Sequence, residues 1–166
     1  AVRGTRPDRY GEAMPFHHVA ITTRDLDETH RFYTEHMGFE LVKVQSAPSP
    51  EGGWARHVFY DTGDGEMFAV WDIHDNPQVG EFDPAIATGL GLLLWSNHIA
   101  FAASDVDDLH TRLDKWIGAG LDCAEIDHGW CHSIYTNDPN GVMVEFCVNT
   151  RELDDDDRTE AAALIV

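Results

Sequence analysis

Basic residues are scarce in this chain: 11 lysines and arginines stand against 30 aspartates and glutamates, for a formal net charge of −19. A surface this negative repels phosphate backbones and anionic lipid headgroups. Long apolar runs are missing too, since the longest candidate, at 90–95, is far below the roughly 20 residues of a membrane-spanning helix. We therefore expect neither nucleic acid nor a membrane among the partners.

Cysteine is also rare, and no secretory signal pattern is visible in the sequence. The three residues, Cys123, Cys131 and Cys147, are odd in number and include no CxxC pair, which argues against a disulfide framework. A reducing compartment fits such a pattern best, so we expect the protein in the cytoplasm.

What the sequence does contain is an internal repeat. The segment HVAITTRDLDETH begins at His18, and HIAFAASDVDDLH begins 80 positions later, at His98. The identical positions at this offset are His18 and His98, Ala20 and Ala100, Asp25 and Asp105, Asp27 and Asp107, and His30 and His110. Ordered identities of this kind indicate a duplicated structural unit.

Each copy of the repeat has the same predicted order of elements. It opens with alternating residues typical of a strand, followed by an apolar periodicity typical of a helix. Asp25 and Asp105 stand at expected helix N-caps, and Gly38 and Gly118 stand where each helix should end. Three further apolar stretches follow, the last two separated by the turn sequences DTGDG and NDPNG. Both halves are therefore predicted to be β-α-β-β-β.

A single module of this kind leaves one sheet face uncovered, so we predict an α+β fold in which two β-α-β-β-β modules pair and form a metal-binding cup. The predicted divisions are an N-terminal tail (1–13), a first module (14–76), a linker (77–94), a second module (95–150) and an acidic C-terminal tail (151–166).

Three side chains are candidates for the metal. His18 and His98 occupy equivalent first strands and share their faces with small residues, which leaves space for a ligand. Glu145 lies in VMVEFCV, where both strand faces are otherwise apolar, and a buried carboxylate normally protonates, pairs or binds metal. Two imidazoles and a carboxylate match the facial triad of non-haem Fe(II) sites, although Mn(II), Zn(II) and Ni(II) also accept such ligands.

Three segments between 14 and 149 resemble the vicinal oxygen chelate superfamily, which includes glyoxalases, bleomycin-resistance proteins and extradiol dioxygenases. They are HHVAITTRDLDETHRFYTEHMGFELV, NHIAFAASDVDDL and SIYTNDPNGVMVEF. The resemblance implies paired modules around a divalent metal, but it leaves the reaction open. Glyoxalase-like members commonly use four protein ligands, whereas the position here that matches Glu145 in the first half is Ala69.

The C-terminal segment is most similar to the signature of one-domain type I extradiol dioxygenases. The matching residues are His128, Ile134, Tyr135, Asp138, Pro139, Gly141 and Glu145. The resemblance implies that Tyr135 donates a hydrogen bond to a metal-bound substrate oxygen and that His128 shuttles a proton. Larger extradiol enzymes, with two module pairs, carry a further catalytic histidine near the last strand of the first metal-bearing module. The aligned stretch here, GEMFAVW, has no histidine at its start, so His17, His57 and His74 are the alternatives.

The leading prediction is an Fe(II)-dependent extradiol-type dioxygenase that uses dioxygen to cleave a catechol-like aromatic. One alternative is a metal-dependent, glyoxalase-like isomerase or lyase acting on a small oxygen-rich substrate. Another is a non-catalytic small-molecule binder of the resistance-protein type. The sequence leaves the oligomeric state open, and the resemblance is compatible with a homodimer because dimers are common among similar proteins.

Overall fold

The computed structural model describes residues 16–63 and 65–165, and it divides into two four-stranded sheets, one from each half of the repeat. The first half contains β1 (His18–Thr23), α1 (Leu26–Arg31) with a following π-helical turn (Phe32–His36), β2 (Glu40–Pro48), β3 (Trp54–Gly63) and β4 (Glu66–His74). In the first sheet the strand order is β1-β4-β3-β2, with β1 parallel to β4 and the other pairs antiparallel.

The second half repeats this arrangement after two short 3₁₀ turns. It contains β5 (His98–Ala102), α2 (Val106–Gly118), β6 (Ala124–Asp127), β7 (Cys131–Asn137) and β8 (Met143–Asn149). Its strand order, β5-β8-β7-β6, has the same parallel and antiparallel pairs as the first sheet. The predicted pair of β-α-β-β-β modules in an α+β fold is confirmed.

The predicted helix starts are correct, and the second helix ends at the predicted glycine. The carboxylates of Asp25 and Asp105 accept the backbone N–H three residues ahead, at 2.9 and 2.8 Å. Gly38 ends the first helical segment with φ 79°, a left-handed conformation that favours glycine. In the second half Gly118 is the last residue of the helix, and Gly120 takes the left-handed conformation. The left-handed glycine therefore lies two residues later than its equivalent in the first half.

The two halves share one hydrophobic core, built from their helix-bearing sides. Phe39 and Phe101, one from each half, pack with ring centroids 4.8 Å apart, and Trp116 is fully buried in the same cluster. A polar contact also crosses between the halves, because the Tyr33 hydroxyl donates to the Asp138 carboxylate at 2.9 Å. These contacts fix how the two sheets are placed relative to each other.

The other face of each sheet remains open in the single chain. In β5, His98, Ala100 and Ala102 are exposed, whereas the alternating Ile99 and Phe101 are half-buried against the core. In the first sheet the whole of β2 is exposed. We call the face that carries His98 and Ala100, and its counterpart carrying His18 and Ala20, the open faces. The candidate metal ligands lie on them.

The chain after the second module is more ordered than a solvated tail. Residues Asp155–Leu164 form α3, which Asp154 caps by accepting from the N–H groups of Asp156 and Asp157. Arg151 pairs with Asp157 through two contacts of 2.6 Å. The predicted N-terminal tail (1–13) lies outside the described residues. Among the described residues, no helix is long and apolar enough to cross a membrane.

Candidate metal-binding site

Glu145 lies at the centre of the second sheet's open face. Strand β8 runs between β5 and β7, and the register places Glu145 next to Ala100 on one side and Tyr135 on the other. Only 5% of the residue is exposed. A carboxylate this buried is costly unless a proton, a cation or several hydrogen-bond donors compensate it.

His98 supplies the contact that Glu145 needs. The His98 Nε2 atom lies 3.1 Å from a Glu145 carboxylate oxygen, and its Nδ1 lies 2.9 Å from the Trp95 carbonyl. A carbonyl only accepts, so Nδ1 carries a proton, and in a neutral ring Nε2 then presents a lone pair to the carboxylate. Two such electron-rich atoms at this distance require a proton or a metal ion between them. Metal-ligating histidines are commonly oriented by this kind of backbone contact.

The two predicted catalytic residues join the same group. Tyr135 stands opposite Glu145 in the β7–β8 pairing, and its hydroxyl lies 3.0 Å from His128 Nε2. Its ring is also edge-on to His98, with centroids 6.2 Å apart. Burial, with a further contribution from Glu145, raises the pKa of Tyr135. The hydroxyl therefore keeps its proton at neutral pH and remains a hydrogen-bond donor.

His18, the third predicted ligand, lies on the other sheet. Its ring is edge-on to His57 and Phe59, with centroids 5.7 and 5.5 Å away. His18 does not lie close enough to His98 and Glu145 for the three side chains to bind one ion. In the described part of the chain, the one group of three side chains close enough to share an ion lies elsewhere. The structure therefore brings together two of the three predicted ligands and leaves the third on the separate open face.

The first sheet has no carboxylate at the position of Glu145. Ala69 pairs with Ala20 in the first sheet as Glu145 pairs with Ala100 in the second, so the two positions are structurally equivalent. Ala69 is fully buried and offers no donor atom. Aligning the last strands of the two halves had already predicted alanine at this position.

The three alternatives for a further histidine occupy different environments. His17 Nδ1 lies 2.8 Å from His18 Nδ1. His57 is nearly buried against Trp71, and burial together with His18 lowers its pKa. His74 lies on the opposite face of the sheet, with Nε2 2.7 Å from the Asp72 carboxylate. His57 is thus the alternative that shares the open face with His18, a proximity that strand register reveals and sequence distance does not.

Comparison with known proteins agrees with this architecture. The chain belongs to the Glyoxalase/Bleomycin resistance protein/Dioxygenase superfamily, whose family model matches residues 16–146. A protein of Vibrio parahaemolyticus serotype O3:K6 named "Probable lactoylglutathione lyase" is 29% identical over 136 residues, which cover 80% of this chain and 88% of the relative.

Solved structures show the same fold at lower identity. A glyoxylase/bleomycin resistance protein/dioxygenase domain from Frankia sp. EAN1pec has a TM-score of 0.59 and 15% identity, covering 83% of this chain and 99% of that one. A lactoylglutathione lyase from Agrobacterium tumefaciens has a TM-score of 0.55 and 20% identity, covering 81% and 93%. The sequence-based resemblance to this superfamily is confirmed.

Proposed function

We propose that the protein is a metal-dependent lyase or isomerase of the glyoxalase type, acting on a small oxygen-rich substrate. The observation that carries the proposal is the His98–Glu145 pair, in which the imidazole Nε2 lies 3.1 Å from an oxygen of a buried carboxylate. The names of the curated relatives support lyase chemistry. S-lactoylglutathione, or a closely similar thioester, is the first substrate to test.

His98 and Glu145 fit a divalent metal by their donor chemistry. Ligand atoms bound at about 2.1 Å in tetrahedral or octahedral sites lie about 3.0–3.4 Å apart, close to the observed separation. When bound, the ion supplies a Lewis acid that polarises substrate oxygens. Zn(II), Ni(II), Mn(II) and Fe(II) all accept this nitrogen and oxygen set, so the identity of the metal is left to experiment.

A second copy of the chain completes this site in our proposal. Each chain carries one open face with His98 and Glu145 and another with His18, and the two do not meet within a chain. In a two-fold dimer, the first module of one copy covers the second module of the other, which brings His18 to the pair and covers both faces. The homodimer is therefore part of the proposed active unit.

Tyr135 and His128 are the proposed acid–base residues. The Tyr135 hydroxyl keeps its proton because burial raises its pKa, so it donates to a substrate oxygen beside Glu145. His128, 3.0 Å from that hydroxyl, lies where it can accept or return a proton. Lyase cleavage of a 2-hydroxyacyl thioester yields a thiol and a 2-oxoaldehyde. Proton transfers at adjacent carbons are the steps these residues would serve.

The extradiol dioxygenase remains a second candidate, favoured by one observation. Ala69 removes the fourth ligand, and the three-ligand set that remains is the facial triad of Fe(II) oxygenases. The contacts of Tyr135 with His128 and Glu145 suit a catechol held by both oxygens. In that reaction both atoms of dioxygen enter the ring-fission product.

Metal reconstitution separates the two candidates. Stripped protein is loaded anaerobically with Zn(II), Ni(II), Mn(II) or Fe(II), then given S-lactoylglutathione, or glutathione with a 2-oxoaldehyde, and separately catechols followed by air. The proposal expects thioester turnover without oxygen uptake. Oxygen uptake with a catechol and Fe(II) alone would establish the second candidate. Tight binding of either compound without turnover under any metal would overturn both and indicate a binding protein.

Subunit complementation tests the shared site. The His18→Ala and Glu145→Gln variants are each expected to be inactive. Random mixing after reversible dissociation gives half mixed dimers, each with one intact site of two, so about one quarter of wild-type activity should return. Mixtures that stay inactive, or a chain that remains monomeric at assay concentration, would contradict the dimeric site while leaving the reaction itself open.

A further inference from the structure

A second cluster of metal-binding side chains lies in the second module, away from the site described above. It consists of His110 on α2, Glu125 on β6 and His132 on β7, and we call it the outer cluster. We propose that the outer cluster binds a divalent transition-metal ion of the zinc type. The ligands would be the two Nε2 atoms and a Glu125 carboxylate oxygen.

The geometry of the outer cluster suits such an ion. His110 Nε2 and His132 Nε2 lie 3.1 and 2.8 Å from the same Glu125 oxygen, and the two rings are nearly perpendicular with centroids 5.7 Å apart. Tetrahedral zinc with bonds of about 2.0–2.1 Å separates its ligand atoms by about 3.3 Å. Opening the cluster by a few tenths of an ångström therefore admits the ion without moving the backbone.

An ion can reach the outer cluster from solvent. The side chains of His110, Glu125 and His132 are 50%, 39% and 19% exposed, so a water molecule has room to fill the fourth position. Partial exposure also keeps the cost of desolvating the ligands low. The formal charge of −19 raises the local concentration of cations around the chain.

The outer cluster is on the opposite side of the second sheet from Glu145. Along β7, His132 and Ile134 alternate with Tyr135, and Ile134 packs in the core beneath α2 while Tyr135 pairs with Glu145 on the open face. The two sites therefore share no ligand. Binding at the outer cluster does not depend on the proposed enzymatic function or on dimer formation.

Within its described residues, the first module lacks a counterpart of this cluster. His30, the repeat equivalent of His110, lies 3.1 Å from the Tyr60 hydroxyl instead of a carboxylate. The strand register places Arg56 where the second module has His132, and Arg56 pairs with Asp72. His30→Gln is thus a matched control, since it removes the equivalent histidine from a place with no ligand set.

A bound ion would link the edge strand β6 to helix α2. Strand β6 has four residues, all of them exposed, and it is the last strand of its sheet. A metal that binds the folded protein stabilises it by mass action, and here it would hold the edge strand against the helix. We therefore expect an increase in Tm on adding zinc that depends on His110, Glu125 and His132.

Zinc titration of the full-length chain tests this inference. Metal-stripped wild-type protein and the His132→Gln, Glu125→Gln, His30→Gln and Glu145→Gln variants are titrated with Zn²⁺ by calorimetry, with circular dichroism as the folding control. We expect His132→Gln and Glu125→Gln to lose one zinc equivalent per chain or to bind it at least tenfold more weakly. His30→Gln and Glu145→Gln should keep it.

Cobalt substitution provides an independent readout at the same cluster. Co²⁺ bound in a tetrahedral site gives strong visible absorption, which should survive in Glu145→Gln and disappear when His110→Gln is added to the Glu145→Gln background, with the double variant still folded. The proposal is overturned if Glu145→Gln protein binds no zinc, or if adding His132→Gln or His110→Gln to the Glu145→Gln background leaves its zinc binding unchanged.

Discussion

The two modules have the same backbone plan, but at the centre of the open face the second carries the carboxylate of Glu145 where the first carries Ala69. The register sets Ala20 beside Ala69 in one sheet and Ala100 beside Glu145 in the other. Strand order, crossover and cap positions are kept, because the hydrophobic alternation and the N-cap aspartates are kept. The comparison shows that a duplicated fold can retain its framework while its two open faces diverge chemically.

The helix-bearing faces diverge as well. The first module places Arg56, Asp72 and His74 in a charged network, whereas the positions matching Arg56 and Asp72 in the second module are His132 and Val148. The second module therefore combines a carboxylate on one face with two histidines and Glu125 on the other. Substitutions at matched positions are the direct way to test whether this asymmetry matters.

The largest expected effect is on catalysis at Glu145. Glu145→Gln keeps the shape of the side chain but removes the charge that we propose binds the metal. Activity should fall by at least about 10³-fold, equivalent to about 4 kcal/mol in the barrier. The control is Glu66→Gln, an exposed glutamate at the start of β4 in the first module, which should change activity less than twofold. Equal losses of activity in Glu145→Gln and Glu66→Gln would show that Glu145 has no special role in the site.

The next largest effect concerns the turn between the last two strands of each module. Buried Asp138 accepts from the Tyr33 hydroxyl and from the backbone N–H groups of Asn140 and Val142. Asp138→Ala leaves these donors unpaired and should lower the free energy of unfolding by about 3 kcal/mol in urea. The equivalent Thr62 is only half-buried, and Thr62→Ala should cost about 0.5 kcal/mol. Similar losses of unfolding free energy in Asp138→Ala and Thr62→Ala would contradict the expected difference between the two turns.

A third prediction concerns alkaline stability in the first module. Burial raises the pKa of Tyr60 to about 12, so the folded state holds this proton more tightly than the unfolded state does. Its stabilising contribution is fully present below about pH 10 and is lost as the pH rises towards 12. By pH 12 the loss from Tyr60 amounts to about 2 kcal/mol, and Tyr60→Phe should reduce the alkaline loss of stability by about that amount, while the part due to buried Tyr33, whose pKa is also raised, should remain.

Urea unfolding between pH 8.5 and 12 measures this effect, provided the protein still refolds at the upper limit. The control is Thr136→Val, at the matching position of the second module, which carries no phenol and should leave the pH slope unchanged. If the unfolding free energy of Tyr60→Phe falls with pH as steeply as that of the wild type, a group other than Tyr60 causes the loss of stability at high pH.

The smallest effect is expected at the first module's ion pair. Asp72 is almost fully buried, and Arg56 contacts it at 2.6 and 2.8 Å. Arg56→Met removes the partner of a buried charge, but half-exposed His74 remains beside it at 2.7 Å. We expect a loss of about 1 kcal/mol in the free energy of unfolding, because His74 still contacts the buried carboxylate. A loss above 3 kcal/mol would mean that His74 does not compensate.

Much of the site could be predicted because it follows from local patterns. Alternation places Glu145 and Tyr135 on definite strand faces, and the repeat makes His98 the partner in the neighbouring strand. The three side chains come together in the structure provided only that the strands pair in the order β5-β8-β7. The match of Ala69 with Glu145 follows in the same way from aligning the turn glycines Gly65 and Gly141.

Other features could not be predicted in this way. His57 comes to lie beside His18 because β3 pairs with β4 in one register, and no periodicity in the sequence encodes that proximity. The outer cluster depends on how α2 packs over β6 and β7, although the shared His30 and His110 were visible in the repeat. The left-handed conformation at Gly120, two residues after the end of α2, was not predicted because two glycines stand within three residues.

By itself, the sequence determined the duplication, the order of elements and the faces on which the proposed metal ligands lie, because these depend on periodicity within each strand and helix. Only the tertiary structure decided that the two halves join through their helix-bearing sides, with Phe39 against Phe101. That choice depends on which apolar surfaces pack most closely over long separations in the chain. It is also what leaves His18 on one open face and the His98–Glu145 pair on another.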